Sequence, residues 1–294
     1  MNFSLHKILL PAFVAAAALL SACGGGGGDS GAVPGAPTGI SVAAGPTAGT
    51  TASVAFVAPT VVGSSAIKSY TVTANPGGIT ASGAASPIAL TGLTPQTAYT
   101  YSVVATNNQG NSAATSTGLT NFYSIVETFF EPMTQPNDTI FTGTFTFDAT
   151  SKTVSNLKGS LTQSMTMMGP MTTVALNNQL SAVANATLGG QLVTTFALTT
   201  TDTFNGGGFA PGGTEYFGLS TNTPNNHNAY AMIFVNTTDP TTALTQAQLD
   251  KLAYADCTLG GMMGATCMTG TTMAGYGSDG TMMGVPVTQV ITKQ

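Results

Sequence analysis

Sulfur is the element in this chain best placed to do chemistry. Met165, Met167, Met168 and Met171 stand close together in MTMMGPM, and Met262, Met263, Met268, Met273, Met282 and Met283 lie in and around the segment CTLGGMMGATC. Thioethers are soft donors that suit Cu(I), and His227, in NNHN, offers one nitrogen beside them. Met165, Met167, Met168, Met171, Met262, Met263 and Met268 with His227 therefore make a soft-metal alternative. The opposing argument is that methionine is a flexible filler of cores and a sticky surface residue. The spacing here also follows no regular repeat. Packing or an adhesive surface is the leading expectation, with no cofactor.

Acid–base and nucleophilic chemistry find less material. A serine triad would have to use His227, and no Gly-x-Ser-x-Gly elbow is present. Zinc sites need several His or Cys ligands, and one histidine in the mature chain beside a cysteine pair expected as a disulfide cannot form the usual set. Paired carboxylates of the glycosidase kind remain open among Glu127, Glu131, Glu215, Asp202, Asp256 and Asp279. The sequence does not say which of these converge, and solvated surface acids are the simpler reading. Asp279-Gly280 reads as a turn, without the alternating oxygen ligands of a calcium loop.

The composition narrows the function classes further. Only 6% of the 294 residues are charged, there is no arginine or tryptophan, and six lysines face eleven carboxylates. Nucleic-acid binding needs clustered cations that displace phosphate counterions, so it is excluded as a partner class. The lack of Trp also weighs against a sugar-stacking platform, although eight tyrosines remain. An apolar content of 43% with a net charge of −5 predicts folded rather than disordered segments. The Thr- and Gly-rich surface suits an exported β-protein.

The N-terminus supports export. MNFSLHK carries a short positive region, and Ile8 to Leu20 is a 13-residue apolar run, too short for a membrane span. Leu20-Ser21-Ala22-Cys23 follows, and it resembles the lipobox of bacterial lipoproteins. The resemblance implies cleavage after residue 22 and acyl chains, palmitate among them, on Cys23. Multiple chains hold a protein on a bilayer where one does so only marginally. Gly24 in place of the Asp that retains lipoproteins on the inner membrane implies the outer membrane. Residues 23–36, with five consecutive glycines, lack the ending of a phosphate loop. They read as a flexible tether of roughly 20 Å. With Cys23 lipidated, Cys257 and Cys267 remain as an even pair in an exported chain, which predicts a disulfide. Closing that short loop stabilises by roughly 2–3 kcal/mol.

These termini are positioned by two β-rich domains. Residues 37–120 show short alternating runs, ASVAF, IKSYTVTA and TYTYSVVATN, separated by Gly, Pro and Ser turns. Leu93, Pro95, Thr97, Tyr99, Val103, Ala105 and Asn107 fit a pattern that resembles the fibronectin type III domain. The resemblance implies a β-sandwich in which Tyr99 is the tyrosine corner, Phe56 stands where the family has a core Trp, and the usual role is spacer or interaction module. Residues 121–294 read as a larger β-rich sandwich or jelly-roll-like domain with one short helix. Phe141, Gly143, Phe145 and Phe147 alternate as a half-buried strand, and Leu192, Thr194, Phe196 and Leu198 make another period-two face. AYAMIFV, residues 229–235, is apolar throughout, as for a strand covered on both faces. Thr245 to Gln248 offers a capping box, with Leu249, Leu252 and Ala253 following at helical spacing. Gly206–Gly208 and Pro211–Gly213 read as loops.

The fold class expected is all-β. The function expected is non-catalytic: display, adhesion or binding of an extracellular or periplasmic protein or glycan by a lipoprotein on the outer membrane. A carbohydrate-active accessory protein or hydrolase is the remaining alternative.

Overall fold

A computed structural model describes residues 31–164, 171–180, 182–197, 207–210, 214–217, 229–256, 268–272 and 284–294. Cys23, Cys257, Cys267, His227 and most of the methionines lie outside them.

Strict alternation in the first domain produces the expected sandwich. Its strands are β1 (Thr38–Ala44), β2 (Thr51–Val57), β3 (Ser69–Asn75), β4 (Ile79–Gly83), β5 (Ile88–Thr91), β6 (Thr100–Asn107), β7 (Gly110–Asn111) and β8 (Thr115–Ser116). One sheet has the order β1-β2-β5, and the other β4-β3-β6-β7 with β8 also on β6. Val54 and Phe56, Tyr70 and Val72, and Tyr101, Val103 and Ala105 are buried between them. Period-two spacing places each set on one face of its strand. Phe56 packs on Tyr70 with ring centroids 4.7 Å apart. The Tyr99 hydroxyl accepts from the Thr94 amide at 2.9 Å, the bond of a tyrosine corner.

The start of the chain is tied down more firmly than a tether reading implies. The Ala32 amide donates to Ser64 Oγ at 2.7 Å, and Gly35 donates to the Val61 carbonyl at 2.8 Å. The Asn107 amide nitrogen donates to the carbonyls of Ala32 and Val62. Gly63, at φ 79°, permits this approach, because a Cβ there would collide with the Ala32 carbonyl. Residues 32–36 thus belong to the domain rather than to a tether.

The second domain contains β9 (Thr120–Phe130), β10 (Thr139–Asp148), β11 (Thr153–Gln163), β12 (Thr172–Leu176), β13 (Asn178–Gln179), β14 (Val183–Asn185), β15 (Gly190–Phe196), β16 (Gly207–Ala210), β17 (Thr214–Phe217), β18 (Ala229–Asn236), α1 (Gln246–Leu249), β19 (Ala253–Asp256), β20 (Met268–Thr271) and β21 (Val285–Lys293). A five-stranded sheet, β12-β11-β10-β9-β21, faces a six-stranded one, β13-β15-β18-β19-β20 with β14 on β15. Their shared core is aromatic, with Phe129, Phe141, Phe145, Phe147 and Tyr254 buried. All seven residues from Ala229 to Val235 are buried, as a strand covered on both faces requires.

Three local expectations change. Val193 and Thr195 are as buried as Leu192, Thr194 and Phe196, so β15 is also covered on both faces. Gly207 and Gly208 belong to strand β16, paired with β17, rather than to a loop. The capping box forms, with Gln248 Oε1 accepting from the Thr245 amide at 2.9 Å. The helix nevertheless stops at Leu249, and Ala253 opens β19. Leu252 and Ala253 are buried by sheet packing, not along a helical face.

No linker separates the two sandwiches. Thr120, the first residue of β9, bridges to Tyr99, and Phe122 two residues later packs in the first domain's core. The Val42 carbonyl accepts from Thr146 Oγ1 and from the Asn156 side chain, both at 2.8 Å. The C-terminal Gln294 carbonyl accepts from the Gln96 amide at 2.7 Å.

Candidate functional site

The alternation of β9 places carboxylates where a strand normally carries aliphatic groups. Tyr123, Ile125, Glu127 and Phe129 point into the second core, and Glu131 follows at the strand's end. Glu127 and Glu131 are both fully buried, and Asp256 at the end of β19 is nearly so. These three are therefore not the solvated surface acids expected from the sequence. Period-two geometry carries Glu127 and Glu131 inward on β9, and the desolvation cost appears in the acidity of those two.

Among the described residues, neither carboxylate oxygen of Glu127 has a hydrogen-bond partner. Burial alone pushes its carboxyl well above the ordinary range, which favours the neutral form. Glu131 is pushed up to about 7, first by burial, with hydrogen bonds from Tyr254 and Thr139 opposing the rise. The Tyr254 hydroxyl donates to Glu131 Oε1 in a short bond, while Oε2 is unpartnered among the described residues. Burial and the nearby Glu131 raise the Tyr254 phenol well above its usual value. Thr139 Oγ1 lies 3.2 Å from the Tyr254 hydroxyl and 3.1 Å from Ser164 Oγ. Beside this group Gln163 Nε2 donates to Asp256 Oδ2 at 2.9 Å, and Thr172 Oγ1 donates to Gln163 Oε1 at 2.6 Å.

This polar cluster marks one end of the second sandwich. Phe130, Thr139, Gln163, Thr172, Ala229 and Asp256 are all strand termini there, by the pairing of β9 to β12 and of β18 to β19. The first domain is joined at the opposite end, through Thr120, Phe122 and Gln294. The far end is thus the part of the second domain that faces away from its neighbour.

Chemically, Glu131 can exchange a proton near neutrality and Tyr254 is its donor. A glycosidase needs two carboxyls across a cleft. Glu127 and Glu131, four residues apart along an extended strand, are separated by about 13 Å of backbone rise, with Glu127 embedded in packed core. Two cavities lie elsewhere, at the junction of the domains. One of about 370 Å³ is lined by Val42, Thr117, Thr146 and Asp148, and another of about 360 Å³ by Asn156, Lys158 and Gln179. Neither is lined by Glu127, Glu131 or Asp256.

Of the other sequence candidates, Met171 is exposed at the start of β12, and Met268 and Glu215 stand in β20 and β17. Met165, Met167, Met168, Met262, Met263, His227, Asp202 and Asp279 lie outside the described residues, as do the lipidation residue Cys23 and the pair Cys257 and Cys267. Among the described residues no three His, Cys, Asp or Glu side chains gather closely enough to hold a metal ion. Tyr254 and Thr139 were not legible as site residues. Glu127 was, in principle, because it continues the Tyr123–Ile125 alternation.

Comparison with known proteins bears on the first domain. Residues 35–121 match the model of the fibronectin type III domain. Domains of this family are binding and adhesion modules and typically non-catalytic. Among solved structures, domains A168–A170 from titin are 21% identical over 30% of this chain and 32% of that one, with a TM-score of 0.27. This chain thus spans about a third of that titin chain. The chicken CNTN1 FN1–FN3 domains are 10% identical over 89% of this chain and 99% of that one, with a TM-score of 0.24. No curated protein matches the chain. The fold of residues 121–294 rests on its own sheets.

Proposed function

We propose that the protein is a lipid-anchored display and binding protein of a bacterial outer membrane. Cys23 carries the acyl anchor, the fibronectin type III domain acts as the stalk, and the second sandwich presents its far end to an extracellular or periplasmic protein or glycan. The observation that carries this reading is the linkerless joint. Phe122 sits in the first core while its strand belongs to the second. A stalk that shares a strand with its head holds the head at a fixed distance and orientation, which suits presentation.

Metabolic labelling with palmitate, followed by separation of inner and outer membranes, tests the anchor. The expected result is a labelled protein in the outer-membrane fraction, with Cys23→Ala unlabelled and released to the soluble fraction. An unlabelled wild-type protein overturns the anchor. Glycan and extracellular-protein arrays probed with the mature protein test the binding role, for which a saturable ligand is expected. Turnover of an array substrate overturns the non-catalytic reading.

A further inference from the structure

The pole of the first domain where the chain enters carries a group of exposed apolar side chains. Val33, Val57, Val61 and Val62 are between 43% and 63% exposed. They are brought together by the contacts that tie residues 32–35 to 61–64 and by the pairing of Val57 with Thr38. We propose that this valine rim rests on the lipid surface that carries the Cys23 anchor, so that the first domain stands on the membrane by its entry pole. The inference rests on the anchored reading above.

Three observations select a membrane as the occupant. The first is reach. The described residues begin at Gly31, eight residue steps after Cys23. That length has a root-mean-square span of roughly 15 Å and at most about 28 Å when fully stretched. An anchored Cys23 therefore keeps the entry pole within about one domain width of the bilayer.

The second is charge. Lys68 is the only charged side chain between residues 31 and 120. It is exposed, and its amide bonds to the Thr106 carbonyl, one residue before the Asn107 that clamps the rim. Approach to anionic headgroups thus strips water from no carboxylate and places one cation at the surface. After residue 120 the balance reverses, with ten carboxylates against four lysines. Anionic lipid repels that end of the molecule and attracts the other.

The third is shape. Valine side chains on short loops and a strand end are small and uncharged, and they penetrate the headgroup layer without unfolding anything. Partial burial of apolar area adds to the acyl chains in the way that second anchoring signals do.

The absence of tryptophan from the chain makes the test direct. Val61→Trp is made in the full lipidated protein, reconstituted into vesicles of phosphatidylethanolamine and phosphatidylglycerol that contain brominated lipid. Val290→Trp, on β21 of the second domain and equally solvent-facing at 58% exposure, serves as the control. The expected result is a blue shift and bromine quenching of V61W, with V290W unshifted and unquenched. Val57→Trp gives a second reporter on the same rim should V61W fold poorly. An intact acyl mass and full vesicle association with V61W and V57W still water-exposed overturn the docking and leave the anchor standing. Equal quenching of V61W and V290W puts the molecule flat on the bilayer and also overturns it. A protein without the acyl mass overturns both readings together.

Discussion

The phenol of Tyr254, on β19 of one sheet, donates to Glu131 at the end of β9 in the other sheet, joining the two layers at the far end of the second sandwich. Tyr254→Phe keeps the ring against Phe129, whose centroid lies 4.7 Å away, and removes only the donor. A buried polar group left without its partner costs about 1–3 kcal/mol, and more when it is charged. The cost applies to the ionised form, because the Tyr254 bond acts to lower the pKa of Glu131. Urea unfolding is expected to show a larger loss for Y254F at pH 8 than at pH 5.

The pH dependence of the wild type follows from the same group. Burial pushes Glu131 up to about 7 from 4.5, and it raises Glu127 well above the ordinary carboxylate range as well. Between the unfolded and folded values the native state holds more protons than the unfolded chain. Stability therefore falls as pH rises from about 4.5 through 7. Asp239, exposed and held below its usual value by Thr241, acts in the opposite sense and only under more acid conditions. Glu131→Gln is expected to flatten the fall between pH 5 and 8, and Glu127→Gln to raise stability at high pH. Unfolding midpoints measured across that range check both.

How much of this was legible differs between the domains. The first was readable because its signals are local. Phe56, Tyr70 and Tyr99 sit in alternating runs whose inward face is set by the strand period alone, and all three are where the pattern puts them. In the second domain β10 was readable from Phe141 to Phe147 for the same reason. Glu127 was misread because an unpaired buried carboxylate is costly, and that cost argued for the surface. Protonation removes most of the cost, which single-residue reasoning does not see. The helix failed at Leu249 because Leu252 and Ala253 fit a helical face and a strand equally well over so few residues, and pairing of β19 with β18 decided between them. Cross-sheet partners such as Tyr254 with Glu131 are 123 residues apart, and nothing local encodes them.

Gln289 supplies a third prediction. Its side-chain amide accepts from the Phe234 amide at 2.9 Å and donates to the Phe234 carbonyl at 2.7 Å, which β19, ending its pairing at Met232, does not reach. The side chain thus replaces a missing strand. Gln289→Leu has similar bulk but leaves one N–H and one C=O buried without partners, at about 1–3 kcal/mol for each. A lower denaturant midpoint with an unchanged slope is expected, since the packing itself is retained.

The joint makes the strongest claim, because it predicts how the molecule unfolds as well as how stably. Phe122 is on a strand of the second sandwich and in the core of the first, so neither core is complete while the other is open. A wild-type heat scan is expected to show one cooperative transition. Phe122→Ala removes a buried ring at a cost of about 3–5 kcal/mol and cuts the shared core, so the scan is expected to separate into two peaks, with the first domain melting earlier. Thr146→Val is the discriminating control. It deletes only the bond to the Val42 carbonyl, a loss of about 1 kcal/mol, and is expected to lower the single peak without splitting it. Two peaks already present in the wild type would show that the domains unfold independently and that the shared strand does not couple them.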